Sequence, residues 1–232
     1  QPGEQAMDLT WLPPAESPKG YGVDLEVLDG WGRILDAATT AFDVLERWTQ
    51  APRYGFLVDF RPGRTDIAET MEWLIRYHVN GLQFYDWMYR HEDLLTEQEP
   101  YQDPLGRWLS RRTVAALIEA AHEHGIAAMA YASIYGASMP FYQTHPTWAL
   151  RQANGEPLSF GDNFLYIMDP RPDSPWTRHL MAEFAEALRK MGFDGLHLDQ
   201  YGDPQSAFDV SGRLVDLAQV FPAFINLTKA TM

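Results

Sequence analysis

From Tyr54 onward the chain repeats one pattern: a short, almost uninterrupted apolar run, a turn, an amphipathic segment of helical period, then another apolar run. The runs are YGFLVDF (Tyr54 to Phe60), LQFYDW (Leu82 to Trp87), IAAMAYASI (Ile126 to Ile134) and the alternating GLHLD (Gly195 to Asp199). Strands joined through helices run parallel, and strands apolar throughout need cover on both faces. Helix punctuation lies between them. Asp66 and Glu69 have capping-box spacing, Ser110 opens a helix predicted to reach His124 and stop at Gly125, and Ser174-Pro175 opens another that stops at Gly192. The segment from Val210 to about Met232 completes a fourth βα unit, with Pro222 predicting a kink or break. The expected fold class is α/β. It is a (β/α)8 TIM barrel of which about the first four βα units are present, and a barrel closes only with eight strands.

The first fifty residues read differently. Leu9 to Leu12, Tyr21 to Leu28 and Ile34 to Ala38 are short alternating runs separated by Pro13-Pro14 and by Asp29-Gly30, a hairpin signal. They predict strands of a hairpin-rich sheet with Asp43 to Pro52 as connector. Residues 1–50 are read as the C-terminal part of an immunoglobulin-like β-sandwich, or as an edge sheet packed on the following domain, and residues 51–232 as the N-terminal half of the barrel.

Charge and composition narrow the partners. With 32 acidic against 18 basic side chains, the net charge of −14 repels phosphate backbones and anionic headgroups, which argues against nucleic acid and membrane surfaces as partners. No apolar run is long enough to cross a bilayer. With no cysteine, there is neither a thiolate metal site nor a cysteine nucleophile. A neutral substrate fits. Eight Trp and eleven Tyr supply flat amphipathic rings suited to sugar faces as well as to cores.

In sheets of repeated βα units, chemistry gathers at the C-terminal strand ends. Asp199 stands there after GLHL, followed by Gln200, Tyr201 and Gly202, with His197 two residues before it. A lone aspartate there would be a turn residue or helix cap, but these polar neighbours suit the binding of hydroxyls. Asp86 ends the second strand between Tyr85 and Trp87, where it either accepts from sugar hydroxyls beside a stacking ring or caps the following loop. Tyr89, His91, Tyr135 and His197 are further substrate-binding candidates, the histidines also having ordinary structural uses, and Asp59 near the end of the first strand ranks below them. Glu92, Asp93, Glu97, Glu99 and Asp103 read as a solvated acidic loop. No EF-hand spacing is present, and neither a metal nor a cofactor is expected.

PRYGFLVDF (Pro52 to Phe60), NGLQFYDWMYRH (Asn80 to His91), AYASIYGA (Ala130 to Ala137) and GFDGLHLDQYGD (Gly192 to Asp203) resemble, in order, the strand ends of glycoside hydrolase family 66. That family comprises dextranases and cycloisomaltooligosaccharide glucanotransferases. The resemblance covers nearly the whole chain, and GYGVDLEVLDGWGRILDAATTAFDV resembles the end of the family's N-terminal β-sandwich domain. It implies an enzyme, a retaining endo-glycosidase on α-1,6-glucan such as dextran, with Asp199 as nucleophile. The acid/base glutamate at the end of strand six has no match in this sequence, so the isolated chain is expected to be inactive. The alternatives are a glucanotransferase forming cyclic isomaltooligosaccharides and a non-catalytic glucan-binding fragment. The implied partners are an α-glucan and the remainder of the barrel, and the implied location is secreted or at the surface of a bacterium.

Overall fold

The computed structural model describes residues 7–200 and 202–232 and divides at Arg53/Tyr54 into two compact units. In the first, β1 (Lys19–Leu28) and β2 (Ile34–Val44) form the antiparallel hairpin that Asp29-Gly30 signals. The loop is held by one carboxylate. Asp29 Oδ1 accepts the Trp31 and Arg33 amides at 2.9 and 3.0 Å, Oδ2 accepts Arg33 Nε at 2.7 Å, and Gly32 takes φ 80°. Leu9 to Leu12 forms no strand. It runs into Pro13-Pro14, which cannot donate to a ladder, and Trp11 instead packs edge-on against Tyr21 and Phe42. β2 also takes in Asp43 and Val44, so the connector begins later than expected. Both faces of the hairpin are largely exposed, with Leu25, Val27, Ile34 and Leu35 open to solvent.

The Asp29 loop is one of three alike. Asp103 to Arg107 joins the short strands Tyr101–Gln102 and Trp108–Leu109, and Asp209 to Arg213 joins Ser206–Phe208 and Leu214–Asp216. Each has the sequence Asp-x-x-Gly-Arg. In each the carboxylate accepts the amides two and four residues on and the arginine Nε, and the glycine has positive φ, 78° at Gly106 and 77° at Gly212.

The second unit carries the βα succession. Its elements are β3 (Tyr54–Leu57), α1 (Ile67–Arg76), β4 (Gly81–Phe84), α2 (Arg111–Glu123), β5 (Ala127–Ser133), α3 (Met139–Thr144), α4 (Pro175–Met191), β6 (Gly195–Asp199) and α5 (Leu217–Thr231). The four strands make a parallel sheet in the order β6-β5-β4-β3. Ser110 accepts the Thr113 amide, Ser174 accepts the Thr177 amide at 2.9 Å, and Gly192 ends α4 with φ 80°, as the punctuation predicts. Asp66 departs from prediction. Arg64 Nε takes its Oδ1 at 2.8 Å, so its side chain makes no capping bond to α1. The last helix begins later than expected, at Leu217, because the stretch from Val210 closes the third hairpin, and it continues through Pro222. No helix among the described residues is long and apolar enough to cross a membrane.

The register sorts the strands into two faces. Leu57, Leu82, Phe84, Ala128 and Ala130 lie on the buried face, where Phe60 stacks on Phe84 and Phe193 meets it edge-on. On the other face Phe56 is level with Gln83 and Met129, and one step further on Tyr131 is level with His197. This second face is not covered as an apolar strand requires: Phe56 is 63% and Val58 51% exposed. Its carboxyl-terminal end holds the candidate site.

Candidate active site

β6 alternates, so His197 and Asp199 share the open face while Leu196 and Leu198 take the other. Asp199 pairs in register with Ser133, which puts Tyr131, two residues earlier on β5, diagonally beside it. The Tyr131 hydroxyl donates to Asp199 Oδ2 at 3.0 Å. Burial, then the charge of Asp199, raise the Tyr131 phenol far above its ordinary range, so it stays a protonated donor. Rings wall this bond. Tyr85 lies 4.8 Å from the Tyr131 ring, and His197 lies nearly parallel to it at 6.3 Å. His197 Nδ1 is 3.2 Å from the Tyr54 hydroxyl. Burial lowers the imidazole against the opposing pull of Asp199, and burial pushes Tyr54 up to about 12.

Gln200 has left-handed backbone, φ 70°, which turns the chain as soon as Asp199 is presented. Its Oε1 accepts the Ser133 hydroxyl, and Ser133 Oγ accepts the Gly136 amide at 2.8 Å. A Cβ on Gly136 would sit 2.8 Å from Ser133 Oγ and 3.1 Å from Gln200 Oε1, so this close approach requires glycine.

Asp86 also has positive φ, 52°, just after β4. Its carboxylate accepts from Arg107 Nη2 at 2.9 Å, and the same guanidinium gives Nε and Nη2 to Asp103 Oδ2 at 2.7 and 2.5 Å. The two partners shift in ways that look contrary. Burial would lower Arg107, but its bonds to Asp103 and Asp86 outweigh it and raise the group, whereas burial raises Asp86 more than Arg107 lowers it. The geometry resolves this: Asp103, whose side chain is fully buried, receives two prongs of the fork and Asp86 one. Asp86 therefore keeps capacity to accept further donors.

His91 is buried, its Nδ1 has no partner among the described residues, and burial lowers its pKa. Tyr85, Asp86, His91, Asp103, Tyr131 and Gln200, together with apolar side chains that include Leu105, Phe160, Phe164 and Leu165, line a cavity of about 130 Å³. Among the sequence candidates, then, Asp86, His91 and Gln200 line one cavity, with Asp199 and His197 bonded or stacked on its Tyr131 wall.

Others lie elsewhere. Trp87 is 1% exposed, its ring packs on Phe193 at 4.8 Å and its Nε1 donates to the Tyr131 carbonyl at 3.2 Å, so its place is the core and not a sugar face. Tyr89 packs beneath Arg90, whose guanidinium is 4.0 Å from the ring, away from the cavity lining. Tyr135 is buried and donates to the Asp203 carbonyl at 2.8 Å. Asp59 pairs with Arg61, also outside the cavity lining. Tyr201 lies outside the described residues. The acidic loop is not simply solvated: Glu92 accepts the Ser138 amide at 3.1 Å, Glu99 accepts the Arg111 amide at 2.9 Å, and Asp103 holds its hairpin. Among the described residues no three His, Asp or Glu side chains are placed to hold a metal ion.

Sequence reasoning named Tyr85 only as a ring flanking Asp86, and it missed Tyr131, Ser133 and the Asp103–Arg107 pair. Only the last had a usable signal, the Asp-x-x-Gly-Arg pattern shared with two other loops.

The model of glycosyl hydrolase family 66 matches residues 2–232. A cycloisomaltooligosaccharide glucanotransferase of Niallia circulans is 31% identical over 242 residues, covering 97% of this chain and 24% of that protein. A dextranase of Streptococcus salivarius is 25% identical, covering 79% of this chain and 25% of that one. Among solved structures, a cycloisomaltooligosaccharide glucanotransferase of Paenibacillus sp. complexed with cycloisomaltoheptaose superposes with a TM-score of 0.85 at 32% identity, covering 95% of this chain and 33% of that one. The chain thus spans about a quarter of the length of the curated relatives it matches.

Proposed function

The chain belongs to glycosyl hydrolase family 66, and from that premise we propose that it supplies the nucleophile-bearing half of the catalytic barrel of an enzyme that acts on α-1,6-glucan with retention. The observation that carries this is the carboxylate of Asp199, presented at the end of β6 and bonded to Tyr131 on the wall of a cavity with Asp86 and His91. In a retaining mechanism Asp199 attacks the anomeric carbon, the C1–O ester bond forms as the bond from C1 to the leaving sugar's O6 breaks, and the leaving oxygen takes a proton from a second carboxyl group about 5 Å away. That second group is a glutamate from the rest of the polypeptide. The same remainder covers the exposed Phe56 and Val58 and continues the sheet beyond β3 and β6, which end its four-stranded order among the described residues. The hairpin β1–β2 likewise belongs to a larger β-sandwich, since two strands exposed on both faces are marginal alone.

Either water or a sugar hydroxyl can resolve the glycosyl-enzyme. Hydrolysis of dextran is the first reading. Transfer to form cyclic isomaltooligosaccharides is the second, favoured by the higher identity to the glucanotransferases, 31% against 25% for the dextranase. The test is Asp199→Asn in the full-length enzyme: release of reducing ends from dextran, and formation of cyclic products, should both vanish while glucan affinity stays within a few-fold. A variant keeping a tenth or more of either activity removes Asp199 from the nucleophile's role.

A further inference from the structure

We propose that Tyr131 is the positioning residue of the nucleophile: its hydroxyl ties down Asp199 Oδ2, which leaves Oδ1 to meet the anomeric carbon. The inference rests on the reading of Asp199 as nucleophile and goes beyond it, because it says what holds the carboxylate in its attacking rotamer. An aspartate at a strand end rotates about χ1 and χ2 unless something stops it, and a displaced oxygen costs rate far more than it costs binding. Among the described residues Tyr131 is the side chain that donates to Asp199, at 3.0 Å.

Tyr131 is itself well fixed. It is 3% exposed, it sits mid-sheet on β5, and its ring is held between Tyr85 at 4.8 Å and His197 at 6.3 Å. His197 is anchored in turn by the Tyr54 hydroxyl. The chain from Tyr54 through His197 and Tyr131 to Asp199 therefore draws on three of the four parallel strands, β3, β5 and β6. Tyr85 follows the fourth, β4. The phenol remains a donor at any pH near neutrality because burial and the carboxylate's charge both oppose its ionisation. Its hydroxyl is spent on the carboxylate, at 3.0 Å, so losing that hydroxyl should fall on the rate of forming the ester more than on holding glucan.

The experiment uses the full-length enzyme and Tyr131→Phe, which keeps the ring contacts and removes the hydroxyl. We expect kcat on an isomaltooligosaccharide to fall about ten- to a hundredfold, the worth of a charge-assisted hydrogen bond, with KM and Tm little changed. A kcat within twofold of the parent overturns the proposal, as does a loss confined to KM or to Tm. If the phenylalanine variant does not fold, a series of fluorotyrosines at position 131 leaves ring and bond in place and changes only the hydroxyl's acidity. Rate should then move steadily along the series at constant Tm, and a flat series overturns the proposal. Trapping the parent with a fluorinated glucosyl fluoride and sequencing the labelled peptide separates the two readings. A label on Asp199 beside an unimpaired Tyr131→Phe enzyme sinks the positioning role alone, whereas a label on another residue sinks the nucleophile assignment and this inference with it.

Discussion

At the scale of single residues, neighbours in sequence have opposite fates. Asp86 takes φ 52° and turns into the cavity, while Trp87 goes into the core. Asp86→Ala should lower kcat/KM about ten- to a hundredfold, since a carboxylate accepting from sugar hydroxyls is worth on the order of 1.5–3 kcal/mol. Steady-state kinetics on dextran checks this, and native kcat/KM would take Asp86 out of the site. Trp87→Ala should instead destabilise by about 3–5 kcal/mol through the cavity it leaves, with KM of the folded enzyme near native, as denaturant melts beside kinetics would read. His91 makes a pH prediction. Burial holds its pKa below the ordinary value near 6.5, against the opposing charges of Glu92, Asp103 and Asp199. The unfolded chain then binds the proton more readily than the folded one, so this contribution to stability is present above about pH 6.5 and is lost as pH falls below it. Tm measured between pH 7.5 and pH 5 should fall less steeply for His91→Asn than for the parent.

At the scale of elements, the Asp-x-x-Gly-Arg hairpin does two jobs. In the loops at Asp29 and Asp209 it closes a turn; at Asp103 the same loop delivers Arg107 to Asp86. Gly106 and Gly212 have the same left-handed backbone, and at neither would a Cβ meet an atom within 4 Å. Alanine at either should therefore cost only the conformational strain, about 1–2 kcal/mol. Gly106→Ala should also lower kcat/KM, because the strained loop moves the arginine that holds Asp86, whereas Gly212→Ala should not. Equal kinetics in the two variants would show that the loop's reach into the cavity is incidental. Asp209 adds a sign. Ser211 and the amides and guanidinium of its own loop hold its carboxyl far below the usual range, so the stability it adds is present above the ordinary carboxylate pKa near 3.9 and is lost on acidification below it.

At the scale of the molecule, the parallel sheet has one finished face and one unfinished one. Helices pack on the first, while the second presents Phe56 and Val58 to solvent, and β3 and β6 have one partner each in the four-stranded sheet. Exposed apolar strands with free edges associate. The 232-residue chain made alone should therefore run as oligomers in size-exclusion chromatography and release no sugar from dextran, while the full-length polypeptide elutes at the size of a compact protein. A monodisperse, monomeric chain of 26.5 kDa would contradict the reading of an incomplete barrel.

What the sequence determined by itself is what local chemistry controls. The succession of strands and helices, the serine caps at Ser110 and Ser174, the left-handed Gly192, the hairpin at Asp29 and the arrival of Asp199 at a strand end all depend on residues a few positions apart. The tertiary structure decided whatever depends on register and on long-range contact. Tyr131 meets Asp199 across 68 residues because β5 and β6 pair with Ser133 opposite Asp199, and a one-residue slip would turn one of them to the other face. Arg107 finds Asp86 because a hairpin loop folds back over β4's end, and Trp87 leaves the site because the backbone of Asp86 breaks the strand's alternation just before it. No spacing within the strands records these meetings, since each is set by the pairing of segments that the chain brings together only when folded.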